Sequence, residues 1–197
     1  MSWLAIELYR YNMIKFGEFK LSSGLTSPFY IDLRRIYGYP QIMSRVVNEI
    51  LSRVPLKDID VIAGVETAGI PLAAYISCYT GKPLVYVRKE KKSHGLGNAV
   101  EGEVTGKRVI IVDDVVTTGS SILRAINHVK DVGGFAIRAL VIVDREQGAR
   151  ELLREHGVEM YSLTTSTELF TQLYLNKLID EGTYTSLINY IRSSRRV

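Results

Sequence analysis

Two adjacent carboxylates, Asp113 and Asp114, follow four β-branched apolar residues, Val109 to Val112. After them come Val115, Val116 and the run Thr117, Thr118, Gly119, Ser120 and Ser121. The apolar run predicts a strand over 109–112, buried on both faces and ending at the acids. Ile122, Leu123, Ala125, Ile126 and Val129 then carry a helical pattern. Carboxylates only accept hydrogen bonds, so a pair at a strand end suits hydroxyl donors. Hydroxyls and glycine at a helix N-terminus suit an anion, because free N–H groups and the positive end of the helix dipole point outward. Gly119 is expected to let the anion approach closely. Acids for sugar hydroxyls beside a cradle for phosphate suggest a ribose 5-phosphate site. A helix capped by Thr or Ser would account for the hydroxyl run alone. It leaves the two buried acids unexplained.

An apolar run, two acids, two apolar residues, Thr, a small residue, Gly and a hydroxyl together resemble the phosphoribosyl-diphosphate (PRPP) signature of the type I phosphoribosyltransferases. The resemblance implies that Asp113 and Asp114 hold ribose hydroxyls. It also implies that Val115, Val116, Thr117, Thr118, Gly119, Ser120 and Ser121 bind PRPP. A second turn, Val65-Glu66-Thr67-Ala68-Gly69-Ile70, follows a strand-like run. Thr67 and Gly69 at a helix start make a second anion site, or simply a capped turn. By resemblance this turn is the diphosphate loop, with Thr67 on PRPP and a cis peptide near Glu66–Thr67.

A third motif is Arg88-Lys89-Glu90-Lys91-Lys92-Ser93-His94-Gly95, inside a polar stretch over 88–104. A charge run is often only a solvated surface. This one leaves a buried strand and runs into glycines, so it could close cations over a polyanion. Its pattern resembles the catalytic loop of orotate phosphoribosyltransferases. That implies Arg88, Lys92 and His94 on diphosphate, Lys89 at the same site, and Mg²⁺ bound through PRPP. It also implies a homodimer whose 88–104 loop reaches the partner's active site.

Two further stretches share the resemblance. Phe16 to Asp32 is similar to the hood that covers the base, with Tyr30 and Ile31 at positions lining the orotate pocket. Many bacterial relatives have lysine where this chain has Ser22, and Lys20 is the nearest lysine. In Asp144-Arg145-Glu146-Gln147, the arginine could simply pair with an acidic neighbour. By resemblance it binds orotate, whose carboxylate matches a guanidinium fork. Thr117 resembles a threonine that also touches orotate.

The elements that must position these residues follow from periodicity. A helix is expected over 3–16, closed by Gly17, then a small antiparallel cap from a strand near Phe19 and another over 27–33. Residues 41–53 read as a helix between Pro40 and Pro55. From Asp60 strands and helices alternate: strands at 61–65, 84–87, 109–112, 137–143 and 160–163, helices at 68–79, 119–131 and 147–156. Helical patterns near 167–178 and 184–192 end the chain, and the tail from Ser193 is expected to fray. This alternation predicts an α/β fold with a doubly wound, mostly parallel sheet. The whole chain, 1–197, reads as a single domain, with residues 1–38 as the hood.

Composition narrows the class. The chain has 197 residues, 46% of them apolar, enough for a core of its own. A net charge of +4 is small, and much of it sits in Arg88–Lys92 and at Arg195 and Arg196, which argues for a local anion site over a nucleic-acid face. Cys78 is the single cysteine, so no internal disulfide forms, and its apolar helical setting predicts a small core residue. With no apolar run of membrane-spanning length and no leader pattern, a cytoplasmic protein is expected.

These readings together predict an orotate phosphoribosyltransferase of pyrimidine nucleotide synthesis. A transferase for another base is the rival within the class, against which Arg145 and the 88–95 motif speak. A nucleotide-sensing regulator that binds nucleic acid is the rival outside it, and would need a helix-turn-helix or a broad basic face.

Overall fold

Alternation along the central strands divides the apolar residues between two cores. In β6 (Arg108–Val116), Val109 and Ile111 enter one core and Ile110 and Val112 the other, all fully buried. β3 (Val61–Val65) is buried along its whole length, and β7 (Phe135–Asp144) along its second half. Such strands need helices on both sheet faces. The computed structural model describes residues 2–20, 26–90 and 99–195. Its main sheet also holds β4 (Leu84–Val87), β5 (Val100–Glu101) and β8 (Glu159–Thr165), in the order β5-β4-β3-β6-β7-β8. All neighbours pair in parallel except β4 with β5. The α/β, mostly parallel expectation is met.

The larger core packs α1 (Ser2–Arg10), α2 (Pro40–Arg53), α3 (Gly69–Thr80), α6 (Ser166–Leu175) and α7 (Glu181–Ser194) on one face. The smaller core packs α4 (Ser120–Asp131) and α5 (Ala149–Glu155) on the other. From β3 the chain steps out to β4 and then returns to β6 on β3's other side. The order therefore reverses between β3 and β6, and ligands of open α/β sheets bind at such a switch, outside the carboxyl ends of the strands.

Several boundaries differ from expectation. The first helix stops at Arg10, because Asn12 takes a left-handed φ of 53° and the chain turns into β1 (Ile14–Lys20). Met13 and Ile14 are core residues at a strand's start, and Gly17 lies inside β1 at a register irregularity instead of closing a helix. β1 pairs antiparallel with β2 (Thr26–Ile31) as the expected cap, and a 3₁₀ helix (Leu33–Gly38) follows. Pro40 is the first residue of α2, as its fixed φ favours. The polar 88–104 stretch contains the short edge strand β5. The tail does not fray at Ser193: α7 continues to Ser194, and Arg195 pairs with Glu146. Cys78 is exposed, not a core residue, since α3 buries Gly69, Leu72, Ala73 and Ile76 and turns Cys78 away. Among the described residues no helix is long and apolar enough to cross a membrane.

Candidate active site

β6 runs four residues past the expected end, so Asp113 and Asp114 lie within the strand. β7 pairs with β6 as far as Val116, whereas β3 pairs only to Val112. The two acids therefore stand beyond the end of β3, at the switch point. Strand alternation aims them to opposite sides of the sheet. Each side chain caps a backbone N–H: Asp113 Oδ1 accepts from Asp114 at 2.9 Å and Asp114 Oδ1 from Val115 at 2.8 Å. Burial, then the neighbouring Asp114 charge, pushes the Asp113 carboxyl well above its ordinary value; nearby Lys89 opposes this. Burial raises Asp114 as well.

The β3–α3 turn is pressed against these acids. Glu66–Thr67 is a cis peptide, where the family resemblance placed one. A Cβ on Gly69 would lie 2.2 Å from the Val112 carbonyl oxygen and 3.0 Å from Asp113 Cα. Only glycine allows the helix start to come that close. Thr67 is exposed at the turn, and Glu66 Oε2 accepts the Lys89 backbone N–H at 3.1 Å, tying the next loop to it. Tyr37, from the 3₁₀ helix, donates its hydroxyl to the Ala68 carbonyl. Burial, then the charges of Asp114 and Asp113, raise the Tyr37 phenol far above its usual range. Tyr37 thus braces the turn from the hood side. The sequence reading missed it, and a lone tyrosine between two arginines and Gly-Tyr-Pro gives little signal.

The Thr117–Ser121 run does open α4, but its cap is Gly119 at φ 85°, with no side-chain cap. Neither Thr nor Ser is spent on that role. Packing also requires Gly119: a Cβ there would meet Ala149 and Leu152 of the α5 side at 3.1–3.3 Å. Thr117 and Thr118 are half-buried, Ser120 and Ser121 exposed, and Thr118 and Ser120 hydroxyls bond at 3.0 Å. Val115 and Val116 pack against the two cores, and the Val116 carbonyl accepts the Arg145 backbone N–H at 2.9 Å. A cleft of about 190 Å³ beside α4 is lined by Val65, Arg88, Lys89, Ser121, Arg124 and Ala125, a cationic setting. Arg88 itself is engaged by Glu101 (Nε to Oε1, 2.9 Å) and the Tyr86 hydroxyl (3.2 Å). Lys92 and His94 lie outside the described residues, as does Ser22; Lys20 is exposed at the end of β1.

Arg145 follows β7 and is 5% exposed. It pairs with neither acidic neighbour. Asp144 faces Arg150 at 3.4 Å, and Glu146 binds Arg195 and the Thr167 N–H. Arg145 instead donates from Nη2 to Ser27 Oγ at 3.1 Å and stacks its Cζ 4.4 Å from the Phe29 ring. Its Nε is buried without a partner among the described residues. Burial lowers the guanidinium's pKa, against the pull of Tyr190 and Tyr30. A buried cation with no carboxylate beside it is costly to the fold.

Tyr30 is half-buried, 5.6 Å from Phe19 by ring centroids, and its hydroxyl accepts from Arg34 at 3.4 Å. Asp32 holds Arg34 in a two-point fork at 2.7 and 2.9 Å. Ile31 faces the opposite way and is buried in the larger core, so its backbone is what it can present. Ser27, Phe29 and Tyr190 were not singled out from the sequence. For Ser27 a signal existed: β2 buries positions 27, 29 and 31, and a serine on that apolar face needs a partner.

A model of the phosphoribosyl transferase domain matches residues 39–174, leaving the N-terminal residues 1–38 and α7 outside the match. The orotate phosphoribosyltransferase of Staphylothermus marinus is 44% identical over 98% of this chain and 95% of its own. The crystal structure of orotate phosphoribosyltransferase from Aeropyrum pernix has a TM-score of 0.78 and 38% identity, over 90% of this chain and 99% of that one. The structure of Leishmania donovani UMP synthase has a TM-score of 0.88 and 33% identity; it covers 98% of this chain, which spans 42% of that longer protein. With the domain matched over more than half of the chain and relatives of this identity covered almost end to end, the chain belongs to the orotate phosphoribosyltransferase family of the phosphoribosyl transferases.

Proposed function

We propose that this protein transfers ribose 5-phosphate from PRPP to orotate, releasing diphosphate and forming orotidine 5′-phosphate in pyrimidine nucleotide synthesis. The observation that carries the choice of base is Arg145, a buried guanidinium stacked on Phe29 with no carboxylate of its own chain among the described residues. Orotate differs from uracil by the carboxylate that would complete it.

Asp113 and Asp114 hold the ribose hydroxyls at the switch point. The uncapped start of α4, with Thr117 to Ser121, takes the 5′-phosphate. Thr67 and the β3–α3 turn take the diphosphate, with Lys89 beside them. Tyr30 and the Ile31 backbone line the base, and Thr117 stands between base and phosphate. The chemistry needs no covalent nucleophile. A ring nitrogen of orotate displaces diphosphate at ribose C1 through an oxocarbenium-like state, and the protein contributes position and electrostatics. Arg88, Lys92 and His94 contact the diphosphate, and Lys89, Lys92 and His94 offset charge growing on it as it departs. The groups gathered for the phosphates are cations, hydroxyls and N–H donors, a set for phosphate oxygens and not a carboxylate cage, which fits Mg²⁺ arriving with the diphosphate. When bound, Mg²⁺ neutralises part of that charge. We read the chain as one cytoplasmic domain, residues 1–38 forming the hood, that works as a homodimer with the 88–104 loop reaching the partner's site.

The test is the loss of orotate's ultraviolet absorbance in the presence of PRPP and Mg²⁺. The expected result is turnover that yields one diphosphate per orotate and stops when a chelator removes Mg²⁺. No turnover, with PRPP still bound, would contradict the proposal and favour a nucleotide-sensing protein.

A further inference from the structure

Arg145 is aimed by the hood. Ser27 is fully buried, and its hydroxyl is fully committed, one lone pair accepting the Phe29 backbone N–H at 3.4 Å. It donates to the Phe29 carbonyl at 2.8 Å, which spends its only hydrogen and leaves a lone pair for Arg145 Nη2 at 3.1 Å. The Phe29 ring, 4.4 Å from Arg145 Cζ, closes one face of the guanidinium. Phe29 is in turn fixed edge-on by Phe170 at 4.8 Å and Tyr190 at 5.8 Å. The arginine's rotation is thereby set by one buried acceptor and one ring, while its Nε has no partner among the described residues. A buried hydroxyl on an otherwise apolar strand face is costly unless it is bonded, and this one is bonded at both ends.

We propose that Ser27 is the positioning residue for base recognition: it holds the Arg145 guanidinium in the orientation that receives the carboxylate of a pyrimidine, and so sets the preference for carboxylated over plain pyrimidines. This rests on the reading of Arg145 given above. Ser27 does not touch the substrate; it acts through the arginine.

Threonine and valine share an outline and differ by one hydroxyl, so Ser27→Thr and Ser27→Val separate the hydrogen bond from packing. The expected result is an orotate KM about tenfold higher in the valine than in the threonine variant, with kcat and the KM for PRPP each within about twofold. Inhibition by uracil, which lacks the carboxylate, is expected to be the same in both. In an Arg145→Ala background the threonine–valine difference should vanish, because the two residues act as one unit. Equal orotate KM values in the two variants, with Arg145 intact, would overturn the proposal while leaving the base site standing. An undiminished difference without Arg145 would also overturn it. If Arg145→Ala itself leaves the orotate KM unchanged, the base-site reading fails and the proposal with it. Should neither β-branched variant fold, Ser27→Ala against wild type reads the same split.

Discussion

Asp113 shows what the site costs the fold. Its carboxyl is pushed up by burial and by Asp114, so its charged form is costlier in the folded protein than in the unfolded chain. Where a folded carboxyl titrates higher than the unfolded one, stability is lost as pH rises from the ordinary carboxylate range through the raised folded value. Asp113→Asn should therefore raise Tm by roughly 2–6 °C at neutral pH, a gain that shrinks as pH falls into and below the ordinary carboxylate range. The same change should lower kcat/KM for PRPP about a hundredfold or more through the lost ribose contact. Thermal melts at neutral and acid pH, beside kinetics, check the pair. Arg145 is the complementary case. Arg145→Ala should raise the KM for orotate about a hundredfold and leave that for PRPP unchanged, which initial-rate titrations of each substrate would show. The acids and Arg145 could be read from the sequence, because charges at the ends of apolar strands stand out. Tyr37 and Ser27 could not be read as easily. Their importance comes from the Ala68 carbonyl and the Arg145 guanidinium, which are 31 and 118 residues away along the chain.

Among the elements, the close approach of α3 to β6 holds together the two turns proposed to bind PRPP. A Cβ on Gly69 would meet a carbonyl oxygen at 2.2 Å, and backbone on both sides must shift to admit it. Gly69→Ala should destabilise the protein by about 2–4 kcal/mol and weaken PRPP binding with it. Gly38, with nothing within 4 Å of an added Cβ, is the control, and Gly38→Ala should change stability by less than about 0.5 kcal/mol. Urea midpoints of both variants decide this. The regular βα units from Val61 onward were legible because buried strands and amphipathic helices have different periods. The N-terminal unit was not. Trp3 to Phe16 carries apolar residues dense enough to suit a helix throughout, and the turn at Asn12 depends on β1 finding β2 as its partner. β6 outran its apolar run because β7 supplies hydrogen bonds as far as Val116, which local sequence does not reveal. Cys78 was misplaced because α3 is apolar nearly all round, so composition alone did not set which face is buried.

Across the whole molecule, the two ends of the sheet treat charge differently. At the start of the strands, Arg108 forks onto Asp60 at 3.1 and 3.0 Å, and Arg138 pairs with Asp58. At the carboxyl end, Arg145 is buried without such a partner, and two acids crowd together. That contrast marks the carboxyl end as the side for binding charged and hydroxylated groups. If the 88–104 loop serves the partner's site, two inactive variants should complement. Co-expressed Lys92→Ala and Asp114→Asn chains should regain roughly a quarter of wild-type activity, since half of the dimers are mixed and each mixed dimer has one intact site. Sedimentation with activity assays of the mixed preparation checks this, and no regain would place the loop in its own subunit's site. The most direct test of the account as a whole is a competition. Orotate, uracil, adenine and hypoxanthine are offered together with PRPP and Mg²⁺, and the products are separated by chromatography. Orotidine 5′-phosphate as the sole nucleotide is the predicted result; a purine nucleotide, or uridine 5′-phosphate formed at a comparable rate, would contradict it.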